Sequence, residues 1–326
     1  MSRFALQLPY VLGCGGLLLA CSSSNPDAST GSGAQSGSNI GGAAQTGGGN
    51  NATAGNTTGG AGAGMSSAGS AGTSSGATPT AEKFSFFVTS LKALRELSGK
   101  SDGFGGDLRF GETGDGAGLR GADKICTTIA EKSMPGNGKT WRAFLSATRG
   151  QDGAPVNAIE RIGTGPWYDR TGRLVAKSTT DLSSERPTGA DSQIVNDLPN
   201  EDGVPNHAPD AGGGEVDNHD VLTGTNDQGK LFNTDAGFTC NDWTSSVGNA
   251  GTPHCGHSWP RAGRGGNGGP GGNMMGSGNN WMSALNEAGC AAGAFVVENG
   301  PPGANGTLSV GDGGGYGGIY CLALTP

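Results

Sequence analysis

Three groups of side chains in this chain have the types and spacing for chemistry. His254-Cys255-Gly256-His257 places three soft-metal ligands within four residues, the imidazole and thiolate donors that zinc-like cations take. No second cluster of that kind occurs to complete the coordination, and a polar loop carrying an odd cysteine accounts for the same residues. His219-Asp220 pairs an imidazole with a carboxylate, as a general base pairs with the group that orients it, but no motif sets a nucleophile beside it. The acidic run Asn200-Glu201-Asp202-Gly203, with Asp210, Glu215, Asp217, Asn218 and Asp220 beyond it, offers the oxygen donors that Ca²⁺ takes. Glu201, Asp202, Asp217 and Asp220 are therefore candidate calcium ligands, and calcium is the one cofactor these residues suggest. A solvated acidic loop is the plainer account of the run.

Catalysis finds little else to stand on. No serine sits in a strand-to-helix elbow, and no phosphate-binding or dinucleotide-binding glycine pattern opens a helix. The many Gly-x-Gly matches follow from composition, since 66 of the 326 residues are glycine. A non-enzymatic protein is expected. Tryptophans are the better lead for binding, because indole rings stack on sugar faces or anchor protein contacts. Trp141 and Trp243 belong with core strands, whereas Trp259 and Trp281, beside Gly-rich loops, are the candidate ligand-binding rings.

The elements that must position these groups are legible in part. Phe84 to Thr89 reads as a first strand and Gly103 to Gly118 as a loop. Leu119 to Ser133 places Ala122, Ile125, Cys126, Ile129 and Ala130 on one helical stripe. Trp141 to Ser146 reads as a strand, Pro155 to Ile162 as a short helix, and Trp167 to Val175 as a hairpin turning at Arg170 to Gly172. Thr179 to Asp235 reads as one long polar loop, and Gly263 to Gly278 as a second Gly-rich excursion. Ala292 to Glu298 and Ile319 to Leu324 read as closing strands. The fold class is α+β, a mainly antiparallel sheet with one or two helices and long loops.

The first eighty residues set the location. Arg3 and the apolar run Val11 to Ala20 are too short to span a bilayer and form an export signal, residues 1–20. The ending Leu18-Leu19-Ala20-Cys21 resembles the lipobox of bacterial lipoproteins, which implies a lipid on Cys21. Ser22 lacks the Asp associated with inner-membrane retention, so the expected anchor is the outer membrane, facing the cell surface or the periplasm. Residues 21–82 hold no aromatic side chain and no Lys or Arg. Such a segment buries too little apolar surface to offset its ordering entropy and is expected to be a disordered tether reaching roughly 40–45 Å. Residues 83–326 then form the head. With a net charge of −8 and no basic cluster, nucleic acid and anionic lipid faces are poor partners.

Seven cysteines less Cys14 in the signal and Cys21 at the anchor leave five: Cys126, Cys240, Cys255, Cys290 and Cys321. An exported, glycine-rich chain that is 33% hydrophobic over its whole length is where disulfides are expected, and the connectivity is open on these grounds.

Gly118-Leu119-Arg120-Gly121-Ala122-Asp123-Lys124-Ile125-Cys126, then Thr140-Trp141-Arg142-Ala143-Phe144-Leu145-Ser146, resembles the opening of the endostatin domain. Cys240-Asn241-Asp242-Trp243-Thr244 is similar to that family's Cys-Glu-Thr-Trp segment, and Tyr320-Cys321 to its closing strand. Tyr168 to Gly172, with Thr239 to Ser246, also resembles the endostatin-like outer-membrane lipoproteins of spirochaetes (the DUF1554 type). The resemblance covers most of Phe84 to Pro326, with long insertions. It implies a C-type-lectin-like fold, nested disulfides Cys126–Cys321 and Cys240–Cys290 with Cys255 left over, and a non-enzymatic head that binds host matrix or complement proteins. The histidines that hold zinc in endostatin have no counterpart here. Asn241-Asp242 and Pro199-Asn200-Glu201-Asp202 resemble, loosely, the calcium elements of sugar-binding C-type lectins. The expected function is a cell-surface lipoprotein recognising an extracellular protein or glycan. A calcium-dependent lectin is the alternative, and a cell-envelope hydrolase comes third.

Overall fold

A computed structural model describes residues 83–206, 219–259, 279–297 and 300–324. The export signal, Cys21 and the linker to 82 lie outside the described residues, as do Asp210, Glu215, Asp217 and the Gly263 to Gly278 stretch.

The sheet is organised around its last strand. In chain order the elements are β1 (Phe86–Val88), α1 (Leu91–Ser98), α2 (Ala117–Ser133), β2 (Trp141–Ala143), β3 (Trp167–Tyr168), β4 (Leu174–Ala176), α3 (Thr179–Leu182), β5 (Asp220–Leu222), β6 (His254–His257), β7 (Leu285–Asn286) and β8 (Gly315–Ala323). β1 lies along one edge of β8, antiparallel, with Phe87 opposite Cys321. The other edge is shared: β2 runs antiparallel to its C-terminal part and β5 parallel to its N-terminal part. β6 and β7 extend the sheet beyond β5, both pairings antiparallel. β3 and β4 form a separate hairpin. The architecture is mixed α and β, with antiparallel pairing everywhere among these strands except β5–β8. No helix among the described residues is long and apolar enough to cross a membrane.

Alternation along β8 makes two cores. Ile319, Cys321 and Ala323 face one side with Phe84, Phe87 and Trp141, and α2 lies on it. Tyr320 and Leu322 face the other with Phe86, Val88, Trp167 and Trp281. A strand buried on both faces needs apolar or small residues at every position, which β8 supplies. The predicted stripe of α2 (Ala122, Ile125, Cys126, Ile129, Ala130) is buried throughout.

Two glycines let α2 approach this closely. A Cβ on Gly118 would overlap the Asp242 carbonyl oxygen, and one on Gly121 would overlap the Arg109 and Leu108 carbonyls. The neighbour of Gly118 is a turn, Cys240 to Trp243, whose four residues all have φ between 47° and 63°. Left-handed backbone costs roughly 1–2 kcal/mol per non-glycine residue. Tertiary contacts hold it: Asp242 Oδ1 accepts from Thr148 N (2.6 Å) and Trp243 Nε1 donates to Ser146 O (2.8 Å).

Both disulfides form the nested pairs that the resemblance implies, Cys126–Cys321 and Cys240–Cys290, and Cys255 is a buried free thiol.

Several sequence expectations need correction. Helix α1 falls where no element is predicted, although Ser90 caps its start by accepting from Ala93 N and Gly99, at φ 68°, closes it. Pro155 to Ile162 yields only a 3₁₀ turn, Ala158–Glu160. Thr179 to Asp235 is not one loop, since it contains α3 and the core strand β5. Ala292 to Val297 forms no strand, and His254 to His257 is a buried strand, not a polar loop.

Candidate functional site

The densest group of chemically capable side chains lies where β5 meets β6. Strand β5 has only three residues, and its alternation splits them: Val221 joins the core cluster of Tyr320, while Leu222 joins that of Cys321. Antiparallel register sets Asp220 opposite His257 and Leu222 opposite Cys255. His257 Nε2 lies 3.0 Å from Asp220 Oδ1, and His219 Nε2 lies 3.4 Å from the same oxygen. The two imidazoles meet edge to face, with centroids 4.4 Å apart. Trp259 closes one side, its ring 5.3 Å from His219. His219, Asp220 and His257 are each at most 2% exposed.

A second carboxylate stands beside Asp220. Glu287, just past β7, is 1% exposed and accepts from Gly313 N at 2.9 Å. An ideal Cβ on Gly313 would sit 2.8 Å from Asp220 Oδ2 and 3.3 Å from Glu287 Oε2, so the Gly311 to Gly315 loop approaches both acids only because it lacks side chains there. Burial, then the charge of Asp220, push the Glu287 carboxyl well above the ordinary carboxylate range. Burial also pushes the Cys255 thiol up, so it stays protonated and unreactive in this setting.

The backbone around the site is tied down by Arg186. Its guanidinium donates to the carbonyls of Val195 (2.9 Å), His257 (2.7 Å), Ser258 (2.6 Å) and Asn279 (3.3 Å). On the opposite side of β6, His254 stacks on Phe232 with centroids 3.6 Å apart and bonds Asn286 Oδ1 and Ser283 Oγ. The three potential ligands of His254-Cys255-Gly256-His257 therefore do not converge. Only His257 joins the acidic group; His254 is spent on Asn286 and Ser283, and the Cys255 thiol donates to Pro253 O.

The candidate calcium ligands are likewise dispersed. Glu201 is 6% exposed, and its carboxylate accepts from Ser90 N (2.9 Å) and Ser90 Oγ (2.5 Å), where it complements the N-terminus of α1. Asp202 is exposed beside it, in a groove of about 180 Å³ that also holds Lys92 and Lys132. Asp220 belongs to the buried histidine group, and Asp217 is outside the described residues. Trp281 is a correction: it is fully buried, donates from Nε1 to Leu182 O and packs on Phe144 and Tyr320. Trp259 is half-buried against His219, not a free indole.

An open cleft of about 320 Å³ lies elsewhere, floored by Phe104 and Phe110, which meet edge to face at 5.7 Å. Arg109 and Asp107 form an ion pair of 2.6 Å on its wall, with Lys100 and Glu112 beside them. Phe110 is held at φ 45°, and Lys124 Nζ lies 5.4 Å from its ring centroid. Sequence reasoning treats this stretch as a Gly/Asp loop. The aromatic pair within it is the signal that could have marked it.

No protein-family model matches this chain, and no curated protein matches it either.

Proposed function

We propose that this chain is a cell-surface lipoprotein whose C-type-lectin-like head binds an extracellular protein or glycan without catalysis, carried on a lipid anchor at Cys21 and the Gly/Ser/Ala/Thr-rich linker that follows it. The observation that carries the reading is the cleft of Phe104 and Phe110. It is open, it pairs two half-buried phenyl rings with charges of both signs, and it holds a bulky residue in the left-handed region. Backbone strain of that kind costs about 1–3 kcal/mol and gathers at ligand-contact segments. The groups suited to catalysis, by contrast, are sealed: His219 and Asp220 are buried within the sheet. The C-type-lectin-like assignment is supported by the contact between its two signature segments, Asp123 Oδ1 accepting from Ala143 N at 2.9 Å, and by the nested disulfides.

The test is capture by the immobilised full chain from arrays of matrix proteins, serum proteins and glycans, with and without added Ca²⁺. The expected result is a calcium-independent ligand whose capture falls at least tenfold in the Phe104→Ala/Arg109→Ala variant. Undiminished capture by that variant removes the cleft from the reading. Glycan capture that requires added Ca²⁺ favours a calcium-dependent lectin, and turnover in a hydrolase screen, lost in His219→Ala, favours the enzyme.

A further inference from the structure

We infer that His219, His257 and Asp220, with Glu287 beside them, form a buried site for a divalent transition-metal cation of the zinc class. This inference does not depend on what the cleft binds.

Geometry is the first support. A tetrahedral cation with bonds of about 2.0–2.1 Å sets its ligand atoms roughly 3.3 Å apart. Asp220 Oδ1 stands 3.0 Å from His257 Nε2 and 3.4 Å from His219 Nε2, and the three donor atoms all lie within 4.8 Å of one another. Both spacings to Asp220 Oδ1 match that polyhedron, and the remaining pair lies close enough to reach it with a small side-chain adjustment.

The second support is independent. Glu287 Oε1 is buried and meets no N–H or hydroxyl donor among the described residues, whereas Oε2 is held by Gly313 N and the Asp220 carboxyl lies within hydrogen-bond reach of the side chain. Two carboxyls buried together with so few donors carry a desolvation cost that a cation relieves. Among the described residues no Lys or Arg forms an ion pair with Asp220 or Glu287, and the Arg186 guanidinium is spent on backbone carbonyls. Two neutral imidazoles and two carboxylates balance a doubly charged ion. Two nitrogen donors also suit zinc-like ions better than calcium, which prefers six to eight oxygens.

The three converging ligands come from different elements, His219 and Asp220 at β5 and His257 on β6, and the neighbouring acid Glu287 follows β7. An ion held by them ties β5, β6 and the segment after β7 together, so its binding energy becomes folding energy. Each donor is buried, which makes the ion structural.

The experiment uses the full chain, stripped with a chelator and titrated with Co²⁺ as a spectroscopic probe and with Zn²⁺. The expected result is a saturable signal at one equivalent, with the visible bands of tetrahedral Co²⁺ and no thiolate charge-transfer band. Zn²⁺ should raise the melting temperature saturably. His257→Gln and Asp220→Asn should lose both responses, and Cys255→Ala should keep them. If those variants fail to fold, the unsubstituted chain decides: no Co²⁺ bands and no Zn²⁺-dependent rise in melting temperature overturn the site. A response to Ca²⁺ but not Zn²⁺, or one lost in Cys255→Ala, overturns it as well.

Discussion

Both carboxylate oxygens of Asp123 accept from Arg161 Nη2, at 2.8 and 2.9 Å, and the same acid takes the backbone N–H of Ala143. Arg161 Nη1 in turn donates to the Ala143 carbonyl at 2.5 Å. One largely buried pair thus clamps α2 to the strand that follows it, β2. Burial shifts both groups toward their neutral forms, raising Asp123 and lowering Arg161, with mutual attraction opposing the shift. Such a pair adds little net stability, but losing one member strands the other charge. Asp123→Ala should therefore cost roughly 3–5 kcal/mol in urea unfolding, and the Asp123→Leu/Arg161→Met double variant clearly less than the sum of its two single changes.

Glycine in a helix interior is ordinarily a weakness, worth up to about 1 kcal/mol to replace with alanine. Gly118→Ala should do the reverse. Its methyl would overlap the Asp242 carbonyl, and the left-handed turn there is held too firmly to retreat. A loss of about 1–3 kcal/mol is expected from this overpacking. Gly136, where a Cβ meets nothing within 4 Å, has φ 77° and no steric neighbour, so Gly136→Asn should be nearly neutral in the same melts.

Chain entropy ranks the disulfides. Cys126–Cys321 spans 195 residues and Cys240–Cys290 spans 50, which gives upper figures of about 5 and 4 kcal/mol. Peptide mapping without reduction should recover those two pairs. Cys255 should react with iodoacetamide only after unfolding, because its thiol is fully buried and held protonated. Labelling of the native protein at Cys255 would show that β6 opens.

Burial, reinforced by His257 and opposed by the bond to Asn286, holds the His254 imidazole at about 4. An unfolded histidine titrates near 6.5, so between those values the unfolded chain binds the extra proton. Stability is full above pH 6.5 and is lost as pH falls toward 4, reaching a deficit of about 3 kcal/mol. The melting temperature should drop more steeply over that window in the wild type than in His254→Gln. Parallel slopes would reject His254 as the group responsible.

Local periodicity alone was enough to read several parts of this protein. The buried stripe of α2 and the hairpin of Trp167 and Val175 follow from 3.6- and 2-residue repeats, and the later part of β8 from the apolar run that starts at Ile319, whereas its Gly315 to Gly318 half lies outside that reading. Cysteine count set the scale of cross-linking, and the first eighty residues set the expectation of an anchored, exported chain. Tertiary structure alone decided the rest. Asp220-Val221-Leu222 is too short to show a period, and it becomes a strand only because β8 and β6 offer edges on both sides. That pairing turns an acid assigned to a solvated loop into the centre of a buried histidine group, and it brings in Glu287, which no local pattern marks. Trp281 shows the same principle, since a ring flanked by Gly-rich sequence is buried by residues far away along the chain. Burial is a property of what packs against a side chain, and neighbours in sequence do not specify that.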